Sequence, residues 1–494
     1  MNHSVELPSF YEVTADKTIV SDWTCPEFKV SGAFSSHMVV QRETRIKVWG
    51  FSQSIGSTVT GVFMRETVKA IVGEDNRFML VFAEKAYTDE PQTMTITDDL
   101  GHEVVFEDVL VGDVWLICGQ SNAELHLSPC MELTPSVTFD ETDNFRLFYQ
   151  AQGIAKQNLS HIADPSPDVV RADWCWKRPD EKASLQFSAL GWYFAKEVTK
   201  MVGVPQGLVM MAAGGATLRE LMPADLCHEL GYFNGANCRE GGYYDTLIHP
   251  FIPMAIKGMI FFQGESEGCW KLVADNFDKD MAAFFAFLRN KFGWNFPVYN
   301  IQLSDYPHHC PRFFPFIDIT RTKQFSALSI IPNMTLTVDM DLGADDNYRD
   351  WAHSPRKYEL AERVAKLALA NEYGVGRITE ASSPMPVNAS LNDDKTEIII
   401  DFANVGTGLI AWGQDPRSSI GLEVKGFSIG NYETRKDAEA YISGRSQVSV
   451  KIPENAHTEY VNYAFAIRIR PDENASLYNG NNLPCPAFSI KVNQ

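Results

Sequence analysis

Between residues 26 and 110, apolar and polar positions alternate in runs of three to six residues. Met38-Val39-Val40, Ile46-Lys47-Val48-Trp49, Thr58-Val59-Thr60-Gly61-Val62-Phe63, Phe78-Met79-Leu80-Val81-Phe82 and Met94-Thr95-Ile96-Thr97 are rich in β-branched and aromatic residues, with Gly and Ser between them. This spacing predicts short strands joined by turns, an antiparallel β segment. From about 110 to 375 the period changes. Val114-Trp115-Leu116-Ile117-Cys118 is continuously apolar, the pattern of a strand covered on both faces. Leu208 to Ala213, Met259 to Phe262, Val298 to Leu303 and Thr335 to Val338 read the same way. Between them lie helical periods. Ser188 to Val202 repeats Leu190, Phe194, Val198 and Met201 three or four apart and stops at Gly203; Phe277 to Phe292 and Arg356 to Asn371 follow. Alternating strands and helices predict an α/β layer with a largely parallel sheet. After about 380 the β texture returns in Glu397 to Ile400, Val448 to Val450 and Ala464 to Ile467. The chain therefore divides into a β segment (1–107), an α/β segment (108–378) and a second β-rich segment (379–494).

Composition narrows the partners. The chain has 494 residues, enough for about two to four domains, and is 45% apolar and 21% charged, as a globular protein is. Lys plus Arg is 43 against 63 for Asp plus Glu, a formal net charge of −20, which argues against nucleic acid or anionic membrane as a partner. Nine cysteines, an odd number without a C-x-x-C pair, signal neither a complete disulfide framework nor a thiolate zinc site; reduced, mostly buried thiols are expected. No secretory signal opens the sequence and no apolar stretch approaches a membrane span, so a soluble, cytoplasmic protein is expected.

In an open α/β sheet, ligand-binding residues sit just past the carboxyl ends of strands. Four such places carry candidate chemistry. Gly119-Gln120-Ser121-Asn122 follows the strand ending at Cys118, and a serine on such a turn presents both hydroxyl and backbone N–H. Gly214-Gly215-Ala216-Thr217 follows Ala213, and paired glycines let backbone N–H groups approach an oxyanion. Gln263-Gly264-Glu265-Ser266 offers an amide donor and a carboxylate that can orient neighbours. Asp350-Trp351-Ala352-His353-Ser354-Pro355 precedes the third helix, with Ser354 as its expected N-cap and Pro355 at the first helical position. A hydroxyl attacks poorly at neutral pH unless an imidazole takes its proton and a carboxylate orients that imidazole. Ser121, His353 and Asp350 are residues of those types.

Gly112-Asp113-Val114-Trp115-Leu116-Ile117-Cys118-Gly119-Gln120-Ser121-Asn122 resembles the signature of the sialate O-acetylesterase-like branch of the SGNH hydrolases. Phe262-Gln263-Gly264-Glu265-Ser266 resembles its second signature, and Gly214-Gly215-Ala216-Thr217 its glycine block. Met38 to Arg42 with Val48-Trp49-Gly50, and Asn482 to Phe488, are similar to its terminal β segments. The resemblance implies an SGNH-type, flavodoxin-like three-layer core flanked by β-rich segments. It also implies an esterase acting on acetylated carbohydrate with no metal or organic cofactor. Ser121 is then the nucleophile, His353 the base and acid, and Asp350 its orienting partner. The oxyanion hole uses the Ser121 N–H, an N–H of Gly214 or Gly215, and the Gln263 amide, with Asn122 and Glu265 in support. Two departures stand out. Ala123 replaces the usual Met, which should widen the pocket. Two residues, rather than one, separate Asp350 from His353, which bears on the role of Asp350.

Competing readings come from the same residues. Gly264-Glu265-Ser266-Glu267-Gly268 fits a nucleophile elbow, which would make Ser266 the attacking residue of an α/β-hydrolase. Its two acidic neighbours disfavour building negative charge there. A non-catalytic sugar-binding protein would instead use exposed aromatics such as Trp49 or Trp412. His308-His309-Cys310 lacks a further spaced metal ligand and reads as a polar loop; Asp339, Asp341, Asp345 and Asp346 read as a solvated or loop-ordering patch. The glycosylation sequons at Asn158 and Asn388 lack a secretory signal to act on.

Overall fold

The 17-residue strand Glu103–Gly119 changes partners along its length. At its start Glu103 and Val105 are exposed and Phe106 buried, and this half pairs antiparallel with Thr88–Asp98. From Asp108 onward every residue is buried, and here the strand runs parallel to Gln206–Ala212, with Leu208 opposite Trp115 and Ala212 opposite Gly119. A continuous apolar run is what a strand covered on both faces requires. The computed structural model describes residues 24–133, 137–140, 142–149, 168–169, 173–232, 242–306, 312–343, 352–414, 419–466, 468–470 and 473–493. It is a mixed α/β fold with a large mixed sheet and further β sheets. Two compact units share the chain: Met1–Met131 with Pro135–Met259 and Ala283–Pro297, and Glu132–Thr134 with Ile260–Ala282 and Val298–Gln494. No helix among the described residues is long and apolar enough to cross a membrane.

In the first unit the expected β segment is present. Ile46–Ser52 pairs antiparallel with Phe28–Val30 and Arg77–Phe82, and Thr58–Phe63 with Glu66–Ile71 and Thr88–Asp98. Val39–Gln41 lies parallel to the long strand, with Gln41 opposite Gly112. This pairing explains why the Met38–Arg42 and Gly112–Trp115 segments belong together. The Gln41 side chain accepts from the Val114 N–H (2.8 Å) and donates to Asp113 (2.8 Å), while the Arg42 Nε donates to both Asp113 oxygens (3.0 and 3.1 Å). Gly112 must be glycine, because a Cβ there would lie 2.0 Å from the Pro205 carbonyl oxygen. The sheet expected to be largely parallel is mixed: Phe145–Tyr149 runs parallel to Gln206–Ala212, but Cys175–Lys177 pairs with it antiparallel. The helix Ala189–Val202 matches its prediction, with the Ser188 hydroxyl accepting from the Gly191 N–H and Gly203 closing it at φ +67°. Leu190, Phe194 and Val198 are buried, but Met201, in the last turn, is exposed rather than part of the stripe.

In the second unit, Val298–Gln302 and Met334–Val338 pair in parallel, as their apolar runs predict. The Gln302 amide ties this layer to the C-terminal β segment, donating to the Ala487 carbonyl (2.9 Å) and accepting from the Ala487 N–H (2.8 Å). That contact gives the Asn482–Phe488 segment a structural role. The C-terminal strands include Met385–Leu391, Glu397–Ala403, Gln447–Lys451 and Tyr460–Tyr463, around a core of Ile398, Ile400, Val448, Val450, Val461 and Phe488. The strand expected at 464–467 is displaced: Ala464 turns to φ +48° and its N–H bonds the Gly426 carbonyl, so extended pairing ends at Tyr463.

Helices in this part of the chain shift at their starts. Lys271–Phe292 begins six residues before the predicted Phe277. Lys357–Glu372 keeps its buried stripe of Leu360, Val364 and Leu367, but Arg356, not Ser354, is its N-cap. The Ser354 hydroxyl instead donates to the Leu342 carbonyl and accepts from the Arg356 N–H, so Pro355 precedes the helix rather than opening it.

The acidic residues after Val338 are not a solvated patch where they are described. Asp341 forms a bidentate pair with Arg363 (2.7 and 2.8 Å) and its carbonyl accepts from Arg356 (3.0 Å). Asp339 is fully buried, and its Oδ2 has no hydrogen-bond partner among the described residues. Burial pushes the Asp339 carboxyl up to about 7, against the opposing pull of Lys357, Arg363 and Arg356. These residues order the loop, the second of the two roles expected; Asp345 and Asp346 lie outside the described residues.

Two stability outcomes follow from these buried carboxylates. Asp113→Ala removes the acceptor shared by Gln41 and Arg42 and should cost about 3–5 kcal/mol in urea unfolding; a loss below about 1 kcal/mol would show the network to be dispensable. For Asp339, the raised folded value means that the native state holds a proton the unfolded chain has released. Its contribution is favourable below about pH 4 and falls as pH rises toward about 7. The stability of the wild type relative to Asp339→Asn should therefore decline by up to about 4 kcal/mol between pH 4 and pH 8. A pH-independent difference would mean that Asp339 is ionised throughout.

Candidate active site

The first unit carries Ser121 and the glycine block. Gly119 leaves the strand at φ +146°, Gln120 stays extended, and Ser121 opens the short helix Ser121–Glu124, its carbonyl accepting from Leu125 (2.7 Å). The helix is held from behind: the Ser188 hydroxyl donates to the Ala123 carbonyl (2.6 Å) and the Ala189 N–H to the Leu125 carbonyl (2.8 Å). Ser121 is only partly buried, and within this unit neither its hydroxyl nor its N–H has a hydrogen-bond partner among the described residues. The second turn leaves at the same level, because Ala213 donates to the Gly119 carbonyl (3.2 Å). A Cβ built on Gly214 would stand 3.7 Å from the Ser121 Cβ, so the fold brings these two predicted residues side by side. Gly215 follows, exposed and at φ +76°, before a capping box of Thr217 and Glu220 starts the next helix.

Two features of this half differ from the sequence expectation. Ala123 is fully buried, so its small side chain faces the interior and does not widen a pocket. The Gly214 N–H, one of two glycine donors considered for an oxyanion, donates to the Glu124 Oε2 at 2.6 Å. Burial raises the Glu124 carboxyl above the ordinary carboxylate range, and the Gly214 N–H partly offsets this. Sequence reasoning missed Glu124. Its one local signal, the Ser-x-x-Glu spacing from Ser121, reads as a capping box, whereas its side chain reaches the glycine turn ninety residues away.

The second unit carries Gln263, Glu265, Ser266 and His353. Gln263 directly follows the strand Gly258–Phe262, is fully buried, and donates its amide to Glu267 Oε2 (2.9 Å). Glu265 accepts from the Tyr306 hydroxyl (3.0 Å). Ser266 lies at φ −64°, ψ −31°, a relaxed helical conformation opening the turn Glu267–Cys269. A nucleophile elbow needs a strained turn that thrusts the serine outward; Ser266 is instead nearly buried between buried Glu265 and Glu267. His353 is partly exposed, directly before Ser354 and its bond to Leu342. Asp350 lies outside the described residues, as do His308, His309, Cys310 and Asn158. Asn388 is on the strand Met385–Leu391, bonded to Asp401 (3.1 Å).

Asn122, next to Ser121, is buried. Among the described residues, no three His, Cys, Asp or Glu side chains are grouped to hold a metal ion. Of the aromatics considered for sugar stacking, Trp49 is buried against Phe34, and Trp412 is half exposed, resting on Tyr478.

Residues 111–370 match the family described as carbohydrate esterase, sialic acid-specific acetylesterase. The chain is 23% identical over 434 residues to the sialate O-acetylesterase of Rattus norvegicus, covering 74% of this chain and 77% of that one. It is likewise 23% identical over 406 residues to the Homo sapiens sialate O-acetylesterase, covering 74% of each. Among solved structures it is similar to a carbohydrate acetylesterase from Xanthomonas citri, with a TM-score of 0.77, 24% identity and coverage of 94% of this chain and 99% of the other. That last likeness is one of fold. The family match spans more than half the chain and contains Ser121, Gly214, Gln263 and His353, and the chain belongs to the sialic acid-specific acetylesterase family of carbohydrate esterases.

Proposed function

We propose that this esterase removes O-acetyl groups from carbohydrates through an acetyl-serine intermediate on Ser121, within an SGNH-type, flavodoxin-like three-layer core. Family membership supplies the reaction class. The observation that carries the residue assignment is Ser121 itself, at a strand's carboxyl end, beside Gly214, its hydroxyl and N–H unengaged within its unit.

In this mechanism His353 takes the Ser121 proton as the hydroxyl oxygen attacks the acetyl carbonyl carbon. The carbonyl π electrons move to oxygen, giving a tetrahedral oxyanion. The Ser121 N–H, an N–H from Gly214 or Gly215 and the Gln263 amide receive that charge, and preorganised donors lower the barrier because they strengthen as the charge develops. Collapse breaks the bond to the sugar oxygen, which leaves with the proton from His353. Water, deprotonated by His353, then attacks the acetyl-enzyme, releasing acetate and restoring the Ser121 hydroxyl. Asp350 orients the imidazole and stabilises its protonated form. No metal or organic cofactor enters these steps. The partner is the acetylated carbohydrate itself.

Ser266 has no comparable setting. Its conformation is relaxed, and the two flanking carboxylates would oppose negative charge on its oxygen. Ser121→Ala should abolish both p-nitrophenyl acetate hydrolysis and acetate release from 9-O-acetyl sialic acid and acetylated plant oligosaccharides, whereas Ser266→Ala should retain them. Activity that survives the first change and disappears with the second would transfer the nucleophile to Ser266. Gln263→Ala should lower kcat by ~10²–10³ while circular dichroism stays unchanged, and near-normal turnover would remove Gln263 from the oxyanion hole.

A further inference from the structure

Glu124, a partly buried acid on the helix of the proposed nucleophile, has no part in the mechanism above. Glu124 ends the four-residue helix that Ser121 begins, and its N–H bonds the Gln120 carbonyl (2.9 Å), so its backbone is fixed to the turn that presents the serine. Its side chain leaves this helix and meets the glycine block: Oε2 accepts the Gly214 N–H at 2.6 Å and would lie 3.3 Å from a Cβ placed on Gly214. A carboxyl partly withdrawn from water is less well solvated than a free one. Releasing the Gly214 N–H would take away the hydrogen bond that compensates for this, so the contact holds the turn in one orientation. Nothing else in the described structure ties the Gly214 backbone N–H.

We propose that Glu124 is a positioning residue for the oxyanion hole, a strut that locks the Gly214-Gly215 turn against the helix bearing Ser121. Gly214 is then the anchor of the turn, and its N–H stays with Glu124 while the turn is held beside the Ser121 N–H. This rests on the reading of Ser121 as nucleophile. It goes beyond that reading because Glu124 touches neither substrate nor the reacting atoms. A displaced strut leaves substrate binding intact and misaligns a donor that matters only when negative charge appears, so its loss falls on kcat rather than KM.

The test uses the full chain, p-nitrophenyl acetate and three substitutions. Glu124→Gln keeps an oxygen acceptor at the same reach without the charge. Glu124→Asp keeps the charge on a side chain one methylene shorter, and Glu124→Ala removes both. Expected are kcat losses of about tenfold or more in the Ala and Asp variants, KM within about twofold of the wild type, and recovery of most of kcat in the Gln variant. Thermal unfolding identifies any variant that has lost its fold, and the Gln–Asp contrast decides the case if Ala does not fold. Wild-type kcat in the Asp or Ala variant would overturn the strut, and so would a Gln variant as impaired as the other two. Wild-type hydrolysis abolished by Ser121→Ala upholds the underlying esterase reading independently. Hydrolysis that persists in Ser121→Ala would sink both together.

Discussion

Parallel pairing of Glu103–Gly119 with Gln206–Ala212 is the constraint on which the first unit's site depends. Because Ala212 stands opposite Gly119, the two strands end at one level and their turns emerge side by side. A one-residue slip would turn every side chain of one strand to the other face, placing Trp115 and Ile117 where Leu116 and Cys118 now pack. The register is pinned by polar contacts inside an apolar setting. The Trp115 indole donates to the Gln206 side chain (2.8 Å), and the Asp113 N–H donates to the Pro205 carbonyl (2.9 Å), which approaches so closely that only glycine fits at 112. Each of these buried bonds is lost in a slipped register, and an unsatisfied buried polar group costs about 1–3 kcal/mol. The apolar run drives burial, while its few polar members select one alignment.

The same division of labour distinguishes the two serine turns. Ser121 follows a glycine with positive φ and an extended Gln120, so its helix starts abruptly and its hydroxyl has no local partner. Ser266 enters a turn already in helical conformation, with its neighbours committed: Gln263 to Glu267, and Glu265 to Tyr306. Both segments carry glycine and serine after a buried strand, so a motif search cannot separate them. The separation lies in backbone dihedrals and in which polar atoms are already engaged.

Much of this fold was legible in the sequence because burial writes itself locally. Continuous apolar runs marked the strands at 114–118, 208–213, 298–303 and 335–338, and the period of 190, 194 and 198 marked a helix face. Strand ends followed by glycine, serine or glutamine located the candidate turns, and the structure sets Gly214 against Ser121. What was not legible depends on partners far along the chain. Ser354 has every local attribute of an N-cap, yet its hydroxyl goes to the Leu342 carbonyl. Ala464 sits in an apolar run but is pulled out of the strand by Gly426. Ala123 reads as a pocket-lining substitution, yet it is fully buried and its carbonyl accepts from the Ser188 hydroxyl. Glu124 looks like half of a capping box because its real partner, Gly214, is ninety residues away. In each case a tertiary hydrogen bond outcompetes the local one the sequence suggests.

The setting of His353 follows from the same competition. Ser354 Oγ and the Leu342 carbonyl close a twelve-residue span, and His353 is the last residue before that closure. Beyond it, Arg356 bonds the Asp341 carbonyl while Arg363, from the packed helix, holds the Asp341 carboxylate with two bonds. Closing a loop of this length costs chain entropy that grows only slowly with added residues. An extra residue between positions 350 and 353 is therefore cheap, provided the closure itself stays fixed. The backbone next to His353 is thus held by the Ser354–Leu342 bond, with the Arg363–Asp341 ion pair one residue before Leu342.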